Sequence, residues 1–201
     1  MKTVVGGTVK IYAMTIYNNT WLIEKFKAGE KLKYLFFWGH QPTPDGSITK
    51  SCFSQWWEAP FEVDGIVYKT AEHWMMAEKA RMFNDMAVLQ QVIAAKTPGE
   101  AKKYGRLVSD FDPVAWDEVK FDIVVEGNIH KFSRHPDLET FLIGTLDRIL
   151  VEASPQDGIW GIGMAVSHAD VENPMSWTGE NLLGYALMEV RDALKIMNQN
   201  G

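Results

Sequence analysis

From residue 70 onward the sequence is punctuated by helix starts, and these constrain the fold more than any other feature. Thr70 stands before a run that suits a helix to about Phe83. Asp112 precedes Pro113, and Pro136-Asp137 opens a third segment. Such residues satisfy or dispense with the free N–H groups of a first helical turn. In the third segment Leu138, Phe141, Leu142, Leu146 and Ile149 share one apolar face. A last helix is predicted from about Asn181 to Met197, with Leu183, Leu187, Val190 and Leu194 inward. Shorter helices are expected over 85–96 and 99–108.

Strand signals concentrate before residue 70. Tyr34-Leu35-Phe36-Phe37-Trp38 is a buried-strand candidate, and Gly39 to Ser51, with Pro42, Pro44 and Asp45-Gly46, has the turn chemistry of a loop. Phe61 and Val63, then Ile66 and Tyr68, flank Asp64-Gly65, a strong hairpin signal. Residues 1–33 form a polar preface in which Thr8 to Ile16 alternates weakly and Trp21 to Lys31 suits a short helix. No repeat or linker divides the chain. The expectation is a single α+β domain, mostly helical with a small β-sheet, in which 1–33 is an N-terminal extension and 34–201 the body.

Composition narrows the function classes. With 46% apolar residues in 201, the chain can bury a sizeable core, and no stretch reaches the roughly 18 apolar residues of a bilayer span. The first ten residues lack an export signal's apolar run and cleavage site. Cys52 stands alone, which fits a reducing compartment, so a cytoplasmic location is expected. Twenty basic against 26 acidic residues give a net charge of -6, the wrong sign for holding a long polyphosphate backbone, while a small anion held by two or three local cations remains compatible. Of the eight tryptophans, most suit packing; the remainder offer faces on which a planar base stacks.

Phosphate-binding, serine-hydrolase and zinc-protease motifs are absent, and Gly158 to Gly163 lacks dinucleotide-binding spacing. Only His130 and His135 are close in sequence, five apart, so no metal site is expected.

Three segments carry possible chemistry. In Thr70 to Ala80, Glu72, Met76, Lys79 and Phe83 fall on one helical face, with Glu72 and Lys79 roughly 10 Å apart along the axis. Either Glu72 only answers the helix dipole on a solvated face, or both charges line a cleft beside apolar neighbours. In Glu152 to Gly163, Gly161 and Gly163 around Trp160 would let backbone approach a ligand, and Asp157 supplies a carboxylate or merely caps a turn. In Asn173 to Gly184 a polar loop leads into a helix where Asn181 is a cap or a ligand-binding amide. Lys102-Lys103-Tyr104-Gly105-Arg106 is a local cationic cluster whose default is a solvated surface.

Together these segments resemble the YbiA-like family, also called the NADAR superfamily, of riboflavin-intermediate N-glycosidases. The resemblance runs in order through Phe53-Ser54-Gln55-Trp56, Asp64-Gly65, Glu72-His73 with Ala77 and Lys79, Gly105-Arg106, Trp116 and Lys131-Phe132. It continues through Glu152, Asp157, Trp160-Gly161-x-Gly163 and Gly179-x-Asn181-x-Leu183-Gly184, ending in Leu187-Met188-Glu189-x-Arg191. It covers about residues 34–195. Gln55 stands where the family commonly has Asn, and Gly39–Ser51 lengthens the first loop.

The resemblance implies hydrolysis of the C–N bond between ribose 5-phosphate and a pyrimidine in early riboflavin intermediates, without metal or redox cofactor. Removal of ADP-ribose from guanine is the near alternative, and a non-catalytic nucleotide-sensing module a more distant one. Glycosidic cleavage passes through a sugar cation, which needs a carboxylate near the anomeric carbon, a base for water and help for the departing base. Glu72 and Asp157 are the expected catalytic pair, and Lys79 and Arg106 the expected phosphate cations. Trp160, Trp56 and Trp38 are candidates for stacking, Asn181 for a hydrogen bond to the base, and Gly161 and Gly163 for close backbone approach. The expected partner is a small phosphorylated ribosyl substrate, not a membrane or an extended nucleic acid.

Overall fold

The computed structural model describes residues 3–5, 8–10 and 17–200. Strands β1 (Thr3–Val5) and β2 (Thr8–Lys10) pair antiparallel; the rest of the alternating stretch, 11–16, lies outside the described residues. Helix α1 (Asn19–Lys27) starts behind Asn18, whose side chain accepts the Trp21 N–H. It stops short of Lys31 because the chain turns at Gly29, where φ is +74°. Leu22 is fully buried, the Tyr17 hydroxyl donates to Asp192, and the Tyr185 hydroxyl donates to Asn19. This part of the preface is therefore packed onto the body.

Strand β3 (Tyr34–Phe37) is followed by the long loop, which closes in a short 3-10 turn over Lys50–Phe53. Strands β4 (Phe61–Val63) and β5 (Ile66–Tyr68) form the expected hairpin. Asp64 and Gly65 both have positive φ, +50° and +77°, as its two-residue turn requires. Five helices follow: α2 (Ala71–Met82), α3 (Met86–Ala94), α4 (Pro98–Gly105), α5 (Pro113–Arg134) and α6 (Pro136–Ile143). The side chains of Thr70, Asp85, Thr97 and Asp112 accept first-turn N–H groups of α2 to α5, which is why these helices begin where they do.

The sequence expectation fails after Ile143. Helix α6 ends there with Gly144, Leu146 is 62% exposed in a left-handed conformation, and Ile149 opens a strand, β6 (Ile149–Glu152). Leu146 and Ile149 are thus not on the helix face; among the described residues the other strands lie before residue 70, as expected, and β6 is the exception. The short apolar run Ile149-Leu150-Val151 suits a buried strand or helix equally by pattern; its pairing with β3 decides the matter. Strands β3 and β6 are parallel, with Tyr34 opposite Ile149 and Phe37 opposite Glu152. Helix α7 (Leu182–Asn200) packs against β6 and along α5. Leu150, Val151, Phe132, Leu187 and Val190 are fully buried where these elements meet.

This parallel pair positions the site. The chain leaves the C-terminal ends of β3 and β6 at one edge, and both exits, Trp38 to His40 and Glu152 to Trp160, line the same cavity. Among the described residues no helix is long and apolar enough to cross a membrane.

Candidate active site

The cavity has a volume of about 520 Å³, within the range that takes a nucleotide-sized ligand. Glu72 reaches it from the first turn of α2. Its backbone N–H donates to the Gln55 carbonyl at 3.0 Å, tying the helix start to the segment 54–56. That segment is held from below by α5. Lys131, fully buried, donates to the carbonyls of Cys52 and Ser54 at 2.6 and 2.9 Å, and Asn128 donates to the Gln55 side chain at 2.8 Å. Gln55 and Trp56 thereby become part of the cavity wall.

The Glu72 side chain is 2% exposed, and its Oε1 has no hydrogen-bond partner. Burial pushes its pKa up to about 7, against the opposing pull of Lys102 and a hydrogen bond from the Trp56 indole; Asp157 adds a smaller upward push and Arg106 a smaller downward one. A carboxylate tuned near neutrality can take and return a proton. Neither a freely solvated face nor a simple dipole contact describes it.

Asp157 also lines the cavity, but its Oδ1 accepts the N–H groups of Ile159 and Trp160 at 3.0 and 2.8 Å. It therefore caps the turn that presents the indole of Trp160. Trp56 and the 61% exposed Trp38 complete three indoles around the opening, with His40 tilted against Trp56 at a centroid distance of 5.4 Å.

The expected cations divide. Arg106 lies on the cavity wall, whereas the Lys79 ammonium sits over the Phe111 ring at 3.8 Å and off the wall. Its place is taken by Lys102, from the cluster whose default was a solvated surface. Lys79 and Lys102 are both regularly placed on helices; which one faces the cavity depends on how α2 and α4 pack.

Asn181 and the two glycines serve the frame. The Asn181 amide is fully buried, accepting the Glu152 N–H at 3.0 Å and donating to the Leu150 carbonyl at 3.0 Å, so it braces β6 and does not border the cavity. A Cβ on Gly161 would lie 2.9 Å from the Glu152 carbonyl, and one on Gly163, at φ +65°, 2.3 Å from Thr178 Oγ1. The close approach that glycine permits here is of loop to loop, not of backbone to ligand.

Glu152 was not among the expected site residues. It ends β6 at the cavity, and its Oε2 has no partner. Burial raises its pKa to about 8, with repulsion from Asp157 next, Lys102 opposing and Glu72 adding a little. Reading Ile149 as helical hid it, because only a strand ending at residue 152 delivers its side chain here. A second depression, about 290 Å³, borders Phe26 and Tyr34 and is lined by the carboxylates Glu30, Asp170 and Glu172; Lys25 is spent on Glu30, so the depression is a poor seat for phosphate.

Comparison with known proteins bears on the family and the fold. The NADAR domain family matches residues 36–195. N-glycosidase R617 of Acanthamoeba polyphaga mimivirus is 41% identical over 165 residues, 80% of this chain and 95% of that protein. N-glycosidase Npun_R5314 of Nostoc punctiforme is 33% identical over 144 residues, 72% and 85% respectively. The NMR structure of YbiA from E. coli superposes with a TM-score of 0.67 at 27% identity, covering 84% of this chain and 89% of that one. With four-fifths of its length shared with a named N-glycosidase and its cavity at the edge of this same fold, the chain belongs to the NADAR domain family.

Proposed function

We propose that this chain, a member of a family of N-glycosidases, hydrolyses the C–N bond between ribose 5-phosphate and a pyrimidine, as in early riboflavin intermediates. The observation that carries this reading is Glu72, a buried carboxylate tuned near neutrality in a cavity that also holds two cations and three indoles. As the C–N bond stretches, positive charge gathers at the anomeric carbon. A carboxylate there stabilises it and takes a proton from the attacking water. Arg106 and Lys102 suit the phosphate, Arg106 by two-pronged contact. An indole face of Trp56 or Trp160 suits the flat base, and Asp157 supports the site by fixing the Trp160 turn.

Removal of ADP-ribose from guanine is the second reading, favoured by the exposed indole of Trp38, which offers a face for an additional base at the mouth. A purely sensing module is disfavoured, because carboxylates facing an anionic ligand weaken binding and gain value only when positive charge develops. The test is incubation with phosphoribosyl-pyrimidines, ADP-ribose, NAD and ADP-ribosylated guanosine, free and within an oligonucleotide, with mass detection of released base. Preferential release from the phosphoribosyl-pyrimidine supports the first reading. A preference for the modified guanine selects the second, and release from none overturns both.

A further inference from the structure

Each of the three carboxylates at the cavity has different surroundings. Asp157 spends one oxygen on two backbone N–H groups. Glu72 receives the Trp56 indole and faces Lys102 and Arg106. Glu152 has a backbone held at three points: its N–H donates to Asn181, and its carbonyl accepts from Ser154 and Ile162 at 2.9 Å each. Its side chain, by contrast, leaves Oε2 buried and unpartnered at the cavity wall. A buried carboxylate oxygen with no donor is a costly arrangement, and a neutral carboxylic acid held ready for a ligand atom is a less costly one.

We propose that Glu152 is the acid that protonates the departing base, working opposite Glu72. The assignment rests on the N-glycosidase reading above. The charged and titratable groups facing Glu152 are Asp157, Glu72, Lys102, Arg106 and the ring of His40. Two buried carboxylates facing one cavity cannot both ionise freely. Burial and the adjacent Asp157 favour the proton on Glu152, whose Oε2 has no partner, whereas the Trp56 indole and the cations Lys102 and Arg106 favour the ionised form of Glu72.

The step balances. The C–N bond breaks with its electron pair going to the base nitrogen, which takes the Glu152 proton. Water oxygen bonds the anomeric carbon and gives its proton to the Glu72 carboxylate. Transfer of that proton through solvent to Glu152 restores the starting state.

The experiment varies how much the leaving group needs a proton. A pyridinium riboside 5-phosphate, nicotinamide mononucleotide, releases a neutral base with no proton added; a phosphoribosyl-pyrimidine does not. E152Q is expected to lose at least about a hundredfold in kcat on the pyrimidine substrate but less than about fivefold on the pyridinium one. In the unsubstituted protein, kcat/KM for the pyrimidine substrate falls above about pH 8 while that for the pyridinium substrate does not, a readout that requires no variant. Equal losses on both substrates, or the same alkaline fall for both, overturn the assignment and leave Glu152 structural. If the unsubstituted protein releases base from neither substrate, the N-glycosidase reading itself falls, and this proposal with it.

Discussion

Replacing Glu72 by Gln is expected to abolish activity and, at alkaline pH, to stabilise the fold. The carboxyl is buried, and its pKa is raised from 4.5 to about 7. In that window the folded state binds more protons than the unfolded one, so the stabilising contribution is full below about pH 4.5 and is lost as pH rises through 7. Worked through for one site, ionising Glu72 costs roughly 1 kcal/mol at pH 5 and roughly 3 kcal/mol at pH 8. An amide has the same shape, can still accept the Trp56 indole N–H, and pays none of this. The gap in stability between Glu72→Gln and the parent is therefore expected to widen by roughly 2–3 kcal/mol from pH 5 to pH 8, equivalent to about 5–10 °C in Tm for a chain of this size. Urea unfolding of both proteins at the two pH values measures it directly. Turnover is expected to fall at least about a hundredfold, because a buried charge aimed at the transition state is worth several kcal/mol. A gap that does not change with pH would refute the reasoning, since Glu72 would then not carry a burial penalty. Unchanged turnover would remove it from the reaction.

Lys102→Ala and Arg106→Ala are expected to raise KM for a phosphorylated substrate at least about tenfold while hardly affecting its dephosphorylated analogue, as steady-state kinetics on both will report. Lys102→Ala should also move the Glu72 limb of the pH profile upward, because a cation that favours the ionised form is gone. Asn181→Ala orphans the Glu152 N–H and the Leu150 carbonyl and is expected to cost roughly 3–5 kcal/mol by chemical denaturation. Asn181→Gly, which tolerates the +56° φ, should cost about 1 kcal/mol less than the alanine. Lys131 is pushed down to about 8 by burial, so the unfolded state binds more protons between pH 8 and 10.5 and the parent gains stability there. The deficit of Lys131→Met should widen by about 3 kcal/mol across that interval in pH-resolved melts.

What was legible in this sequence was what neighbours in sequence decide. Thr70, Asp112 and the Asp64-Gly65 turn act within three or four residues, so the helix starts and the hairpin can be read without knowing the rest of the chain. Glu72 was legible for the same reason: a first-turn carboxylate beside apolar residues is a local oddity. Strand β6 was not, because Ile149-Leu150-Val151 becomes a strand only through hydrogen bonds to β3, more than a hundred residues earlier. The choice of Lys102 over Lys79 likewise depends on the packing of α4 against α2. These two non-local facts also account for the main omissions from the expected site. Glu152 reaches the cavity because β6 runs parallel to β3, so that both strands end at one edge; an antiparallel pairing would have carried it to the opposite end. Asn181 links the two levels. Its residue type and position before α7 pointed to a cap or a ligand contact, yet its amide is spent on Leu150 and Glu152, fixing the strand end on which the second carboxylate is carried.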